Sequence, residues 1–281
     1  MERVRMNSNY TQQLKLLKND FLKKYSGQSK IQEILPNDPV SNLITDNFHL
    51  SQLHQFVKNN PIYYKSLQMK INDISCTVYE GNLDRYWLSS IENTSSKAPF
   101  SPTWLLSAYI ISQIAKKLGY LEIVDIGSGD GRIAYCAEMN NLKSISIEID
   151  SQLSQLQNSI INKTNSTITI MNNDATKCDF GQLELRHPLF CIGGLSQMGG
   201  NYLGTEILQQ LSQSKKSFKK FGFLFPGTNS KKYPSDPLGD GGWGTLIRKF
   251  ELNISTEVTL PTMWTFHEID DTPYFFASKN E

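Results

Sequence analysis

No stretch of eighteen apolar residues occurs anywhere in the 281-residue chain, so no segment is long enough to cross a bilayer as a helix. Met1-Glu2-Arg3-Val4-Arg5 is not followed by an apolar core, and the expectation is a cytoplasmic protein without membrane contact. Cysteine is scarce. Cys76, Cys136, Cys178 and Cys191 stand far apart with no C-x-x-C pair, and the four histidines do not cluster near them. Neither a disulfide framework nor a zinc site is expected, and no metal is assigned. Excess charge is also missing, with 28 basic against 27 acidic residues and a net charge of +1. That balance argues against a protein built wholly around a nucleic-acid backbone.

What the chain does have is a strand end running into glycines, Val124-Asp125-Ile126-Gly127-Ser128-Gly129-Asp130-Gly131-Arg132. Ile123, Val124 and Ile126 suit a buried parallel strand, and the glycines let the backbone turn sharply and approach a ligand closely. Asp125 offers an acceptor at the carboxyl end, where open α/β sheets bind their ligands. A dinucleotide loop would need Gly or Ala at the position held by Arg132, and a P-loop would need a following Gly-Lys-Ser/Thr. Both are excluded.

Two acids follow at informative distances. Lys143 to Ile149 reads as a β-branched strand, and Glu148 at its end lies about twenty residues past the first glycine, the spacing of an acid on ribose hydroxyls. Ser166 to Met171 reads as a third strand leading into Asn172-Asn173-Asp174-Ala175. There Asp174 could accept from an adenine amino group while the Ala175 N–H reaches the ring.

Asp125-x-Gly127-x-Gly129-x-Gly131, Glu148 and Asp174-Ala175 together resemble the class I S-adenosylmethionine-dependent methyltransferases, over roughly Tyr120 to Cys178. The resemblance implies S-adenosylmethionine as cofactor, held by Asp125, Gly127, Ser128, Gly129, Gly131, Glu148, Asp174 and Ala175. Asp-Ile-Gly-Ser-Gly-Asp-Gly-Arg followed by Ile-Glu-Ile-Asp is most similar to the archaeal and Dot1-like protein lysine methyltransferases. Phe100-Ser101-Pro102-Thr103 is similar to an element those proteins carry ahead of the first strand.

The rest of the chain is divided accordingly. Residues 1–99 show mostly helical spacing, as in Leu14, Leu17, Phe21 and Tyr25 or Leu50, Leu53, Phe56 and Val57, and are expected to form a helical cap that helps select substrate. Ser89 to Lys97 is the linker candidate. Residues 100–281 are expected to form a doubly wound, Rossmann-like α/β methyltransferase sheet, mostly parallel with an antiparallel last strand. It has a helix over Trp104 to Leu118, a fourth strand over Pro188 to Gly194 and a fifth near Phe221 to Phe225. Ile254 to Leu260 and Tyr274 to Ala277 form the terminal antiparallel pair.

The acceptor is less legible. The fourth-strand loop, Leu195-Ser196-Gln197-Met198-Gly199-Gly200-Asn201, lacks the Asn/Asp-Pro-Pro-Tyr/Phe tetrapeptide that clamps planar amino groups in related enzymes. A protein lysine amine, which needs no planar clamp, is therefore the first expectation. Such an amine has a reference pKa of about 10.4 and must reach the sulfonium uncharged. A small molecule, RNA or another group transfer within the same fold remains open, as does a cofactor-binding interaction protein without turnover. Pro102, Thr103, Ser196 and Gln197 are placed near the substrate channel, and Trp243, in Gly239-Asp240-Gly241-Gly242-Trp243-Gly244, is a candidate either for a lid or for the core beneath an ordered surface loop. His187 and His267 are candidate bases, more simply read as structural. Lys215, Lys216, Lys219 and Lys220 could meet phosphates or form a solvated face. No catalytic residue is assigned, because the sulfonium already activates the methyl group and positioning does most of the work.

Overall fold

The structure is a computed structural model that describes residues 4–5, 9–86, 100–193, 201–213, 218, 220–227, 243–262 and 271–279. Five parallel strands lie at its centre: β5 (Glu122–Ile126), β6 (Lys143–Glu148), β7 (Thr169–Asn172), β8 (Pro188–Ile192) and β9 (Gly222–Pro226). Beside β9 runs the antiparallel β11 (Asp271–Lys279), then β10 (Leu252–Pro261), and a two-residue β1 (Val4–Arg5) pairs with β10 at the edge. The order is β1-β10-β11-β9-β8-β5-β6-β7. Strand order reverses beside β5, so the ligand crevice opens at its carboxyl end, where the glycine loop begins.

Alternation along the strands splits the core in two. Ile123, Leu189, Cys191 and Leu224 face α3 (Leu105–Lys117), α4 (Arg132–Met139) and α5 (Ser151–Thr164). Val124, Ile126, Phe190, Ile192, Phe223 and Phe225 face α6 (Asn201–Gln213) and α7 (Gly244–Lys249). Both faces of the central strands are thus covered, which is why β5 and β8 are buried at every position and read as apolar runs.

The N-terminal part departs from the expected helical cap. Helices α1 (Asn9–Lys24) and α2 (Asn47–Asn59) are present, but β2 (Ile31–Pro36), β3 (Tyr63–Ile71) and β4 (Ile74–Gly81) form an antiparallel sheet of order β2-β4-β3. The β3–β4 hairpin turns on Asn72 and Asp73, with φ of 44° and 61°, a turn for which Asn and Asp are among the few tolerant side chains. Nor is this part a separate body in its packing. Leu14, Phe21, Ile34, Leu53 and Val78 belong to the same buried cluster as Ile110, Tyr135, Leu153 and Phe276. The linker candidate 89–97 lies outside the described residues.

Candidate functional site

The site grows from the end of β5. Gly127, Gly129 and Gly131 all have positive φ, at 70°, 59° and 79°, and the loop turns back under β6 through Gly127 N–H donating to Ile147 O at 2.9 Å. A Cβ on Gly129 would lie 2.5 Å from the Phe100 ring, whereas one on Gly127 would meet nothing within 4 Å among the described residues. The loop is therefore pressed on Phe100 on one side and open on the other. Ser128 turns inward, accepting from Ser146 Oγ at 2.6 Å and Gln157 Nε2 at 2.8 Å, and the same Gln157 Nε2 donates to Gly129 O at 2.7 Å. Its hydroxyl is structural.

Carboxylates crowd the crevice. Glu148, at the end of β6, accepts from Gly129 N–H at 2.7 Å through Oε2 and from Asp150 N–H at 3.0 Å through Oε1. A carboxylate oxygen has a second lone pair, so both oxygens can still accept from a ligand hydroxyl. Burial raises its pKa above the usual carboxylate range. Asp125 is buried, its Oδ2 meets no partner among the described residues, and its pKa is pushed up to about 8 by burial first, then by Glu148 and Asp130. An orphaned buried carboxylate oxygen beside other acids calls for a cationic or hydrogen-donating ligand.

S-adenosylmethionine fits this acceptor set: its positive charge would suit the acids, its hydroxyls would donate to Glu148, and it supplies the activated methyl group. Asp174 and Ala175 sit at the neighbouring strand end, joined to Glu148 by Asn173 N–H donating to Glu148 O at 3.0 Å. The Asp174 carboxylate accepts from Thr176 N–H at 3.0 Å and Thr176 Oγ1 at 2.7 Å and pairs with Lys177 at 3.2 Å, which leaves part of its acceptor capacity free.

Behind the loop lies a buried polar cluster that the sequence analysis did not single out. Arg132, 2% exposed, commits all five of its N–H groups. Nε and Nη2 hold Asp130 at 2.8 and 2.6 Å, Nη1 holds Glu33 at 2.6 Å and Thr103 O at 2.5 Å, and Nη2 also reaches the Tyr63 hydroxyl at 3.2 Å. Asn60, capping the end of α2, donates to Asp130 at 2.9 Å. Glu33, 0% exposed, also accepts from Leu105 N–H at 3.2 Å and Tyr63 at 3.1 Å, and burial lifts its pKa to about 7 despite the opposing pull of Arg132. Within Ile31-Gln32-Glu33-Ile34-Leu35 the signal was a charged residue inside an apolar run.

The substrate-side residues fare unevenly. Thr103 lies beside the loop through its carbonyl contact with Arg132, and Pro102 precedes it, buried. Ser196, Gln197 and His267 fall outside the described residues, as do Lys215, Lys216 and Lys219. Trp243 is not at the surface. It is 0% exposed, stacks on Phe225 with ring centres 4.5 Å apart, and donates Nε1–H to Pro226 O at 2.8 Å. So large an aromatic gains more from the core than from a lid position, and the lid expectation is corrected accordingly. His187 packs on Tyr120 and bonds Gly119 O at 2.8 Å, at the opposite end of the strands from the glycine loop. It is structural.

Comparison with known proteins places this site in a family. Among curated proteins no sequence matches. Solved structures with a similar arrangement, each 10% identical, include the Pyrococcus abyssi tRNA (uracil-54, C5)-methyltransferase in complex with S-adenosyl-L-homocysteine, TM-score 0.47, covering 76% of this chain and 44% of that one. Others are the magnesium protoporphyrin IX methyltransferase of Synechocystis PCC 6803 with bound SAH, TM-score 0.42, covering 63% and 81%, and the ribosomal protein L11 methylase of Lactobacillus delbrueckii subsp. bulgaricus, TM-score 0.40, covering 62% and 78%. At this identity none of them speaks to the acceptor. Residues 93–255, more than half of the chain and the whole span from Phe100 through the glycine loop to β10, match the family described as ribosomal RNA adenine dimethylase. The chain therefore belongs to the ribosomal RNA adenine dimethylase family and is an S-adenosylmethionine-dependent methyltransferase.

Proposed function

We propose that the chain transfers the methyl group of S-adenosylmethionine to RNA. The observation that carries this reading is the family match over residues 93–255. The lysine amine expected from the narrower likeness to protein lysine methyltransferases finds no comparable support and gives way to the RNA alternative. In this reading Asp125 and the Gly127–Gly131 backbone face the methionine part, Glu148 takes the ribose hydroxyls, and Asp174 with Ala175 takes the adenine edge. The carboxylate-rich crevice attracts the sulfonium, and holding donor and acceptor as a near-attack pair contributes on the order of 7 to 11 kcal/mol toward the barrier.

Pro102 and Thr103 line the acceptor side, and residues 1–99 help to select the RNA. The family's description names adenine, yet Gly193-Gly194-Leu195-Ser196 follows β8 where Asn/Asp-Pro-Pro-Tyr/Phe would clamp an exocyclic amine. An adenine amino group would thus be held here by other residues. Incubation with isotopically labelled S-adenosylmethionine and a cell extract, separated into RNA, protein and small-molecule fractions, tests the proposal. Nuclease-sensitive label supports it; label confined to protease-sensitive material would restore the lysine reading.

A further inference from the structure

The Arg132 cluster joins three parts of the chain that the methyl-transfer reaction needs in register. Asp130 is in the cofactor loop, Thr103 and Leu105 lead into α3 on the acceptor side, and Glu33 comes from β2, outside the matched span 93–255. Glu33 touches two of them at once. One oxygen holds Arg132, which in turn grips both Asp130 and Thr103 O, while the other holds the Leu105 N–H directly. Phe100, at the head of the same segment, is the ring against which Gly129 rests. We infer that Glu33 is a positioning residue for methyl transfer: acting through Arg132, it locks the cofactor loop and residues 100–105 into one arrangement.

The chemistry supports a positioning role over a purely stabilising one. A buried ion pair is weak evidence of stability, because desolvation cancels much of the attraction and an apolar replacement is often neutral. What the guanidinium adds is direction. Its planar fork imposes fixed angles on every acceptor it holds, so a charge on β2 is converted into the placement of two loop segments. Glu33 is fully buried behind the loop, and its carboxyl, lifted to about 7, serves no proton transfer in this scheme.

The inference rests on the glycine loop being the cofactor site, but not on the identity of the acceptor. Its test is calorimetric titration of S-adenosylmethionine into full-length wild type, Glu33→Gln, Glu33→Asp and Ile34→Ala, each below its melting temperature. Glu33→Gln keeps the shape and removes the charge. It should bind about ten-fold more weakly, about 1.4 kcal/mol, and Glu33→Asp should recover part of the loss. Ile34→Ala, the next residue on the same strand, should melt lower yet keep wild-type affinity.

If Glu33→Gln stays within about two-fold of wild type, or if affinity in Ile34→Ala falls along with its melting temperature, the inference is overturned. Should Glu33→Gln fail to fold, Tyr63→Phe decides, since it removes the hydroxyl that touches both Glu33 and Arg132. Binding weakened about three-fold supports the inference, and unchanged binding overturns it. Wild-type protein that bound no S-adenosylmethionine would overturn the cofactor-site reading itself, and this inference with it.

Discussion

One buried oxygen of Asp125 has no partner among the described residues, and that single atom links stability to cofactor binding. Its folded pKa, about 8, lies far above the value of about 3.9 expected in an unfolded chain. The fold therefore prefers the protonated form. Stability from this group is fully present below about pH 4 and is lost as pH rises through 8. Glu33, raised to about 7, adds a slope of the same sign from about pH 4.5 to 7. Asp125→Asn should flatten the part of the melting-temperature profile between about pH 4 and 8 in the ligand-free protein, as differential scanning calorimetry would show. For wild type, the cationic cofactor favours the ionised carboxyl, so S-adenosylmethionine should bind more tightly as pH rises from 6 to 8 and then level off. A flat affinity profile across that range would rule out Asp125 as the charge the sulfonium meets.

Gly129 provides the steric counterpart. Its φ of 59° and the Phe100 ring 2.5 Å from a hypothetical Cβ exclude any larger residue without displacing the loop. Gly129→Val should leave no measurable heat of S-adenosylmethionine binding in calorimetry. The sequence identified this residue from spacing alone. It could not identify Phe100 as the reason, because the contact joins positions 29 residues apart in an irregular segment.

Among the elements, α7 and the strand β9 beside it settle what Trp243 does. The glycine-rich stretch before Trp243 suggested a lid, since backbone freedom and a large aromatic are what a closing loop needs. The stack on Phe225 and the hydrogen bond to Pro226 O instead make it part of the second core. Trp243→Ala should cost about 3 to 5 kcal/mol in denaturant unfolding while the folded fraction keeps its affinity for S-adenosylmethionine. The bounds of α3, β6 and β8 agree closely with the sequence because helices and buried strands carry different, regular periods. The β3–β4 hairpin was missed for a local reason. Tyr63 to Ile71 carries a bulge between Tyr63 and Lys65 that breaks the alternation, and its turn is Asn-Asp where Asn-Gly would have been the recognisable signal.

At the scale of the whole molecule, the family match begins at residue 93, yet the core does not begin there. Leu14, Leu17 and Phe21 of α1, Ile31 and Leu35 of β2 and Leu53, Phe56 and Val57 of α2 are buried in the same cluster as α3 and α4, and β1 extends the main sheet. Removing them would expose the apolar faces of both helices. A chain of residues 100–281 should therefore show no cooperative thermal transition by circular dichroism, while the full chain shows one. A stable truncated domain would mean that the N-terminal part is an independent module. Removal would also take Glu33 and Tyr63 from Arg132 and leave it with Asp130 and the Thr103 carbonyl.

The linear chain indicated the methyl donor and a Rossmann-like, mostly parallel sheet with an antiparallel last strand, and it singled out Asp125, Gly127, Gly129, Gly131 and Glu148. These depend on interactions between residues close in sequence or on fixed spacings within one βαβ unit, and such relations survive in the linear string. It did not determine the acceptor, since the residues that recognise one belong to loops with no periodic constraint. The folded arrangement alone shows that Trp243 is core, that residues 9–86 carry a three-stranded sheet beside two helices and share the main core, and that Glu33 reaches across 99 positions to Arg132. Those contacts arise from packing between distant segments, where burial and shape select the partner and no pattern in the chain records the choice.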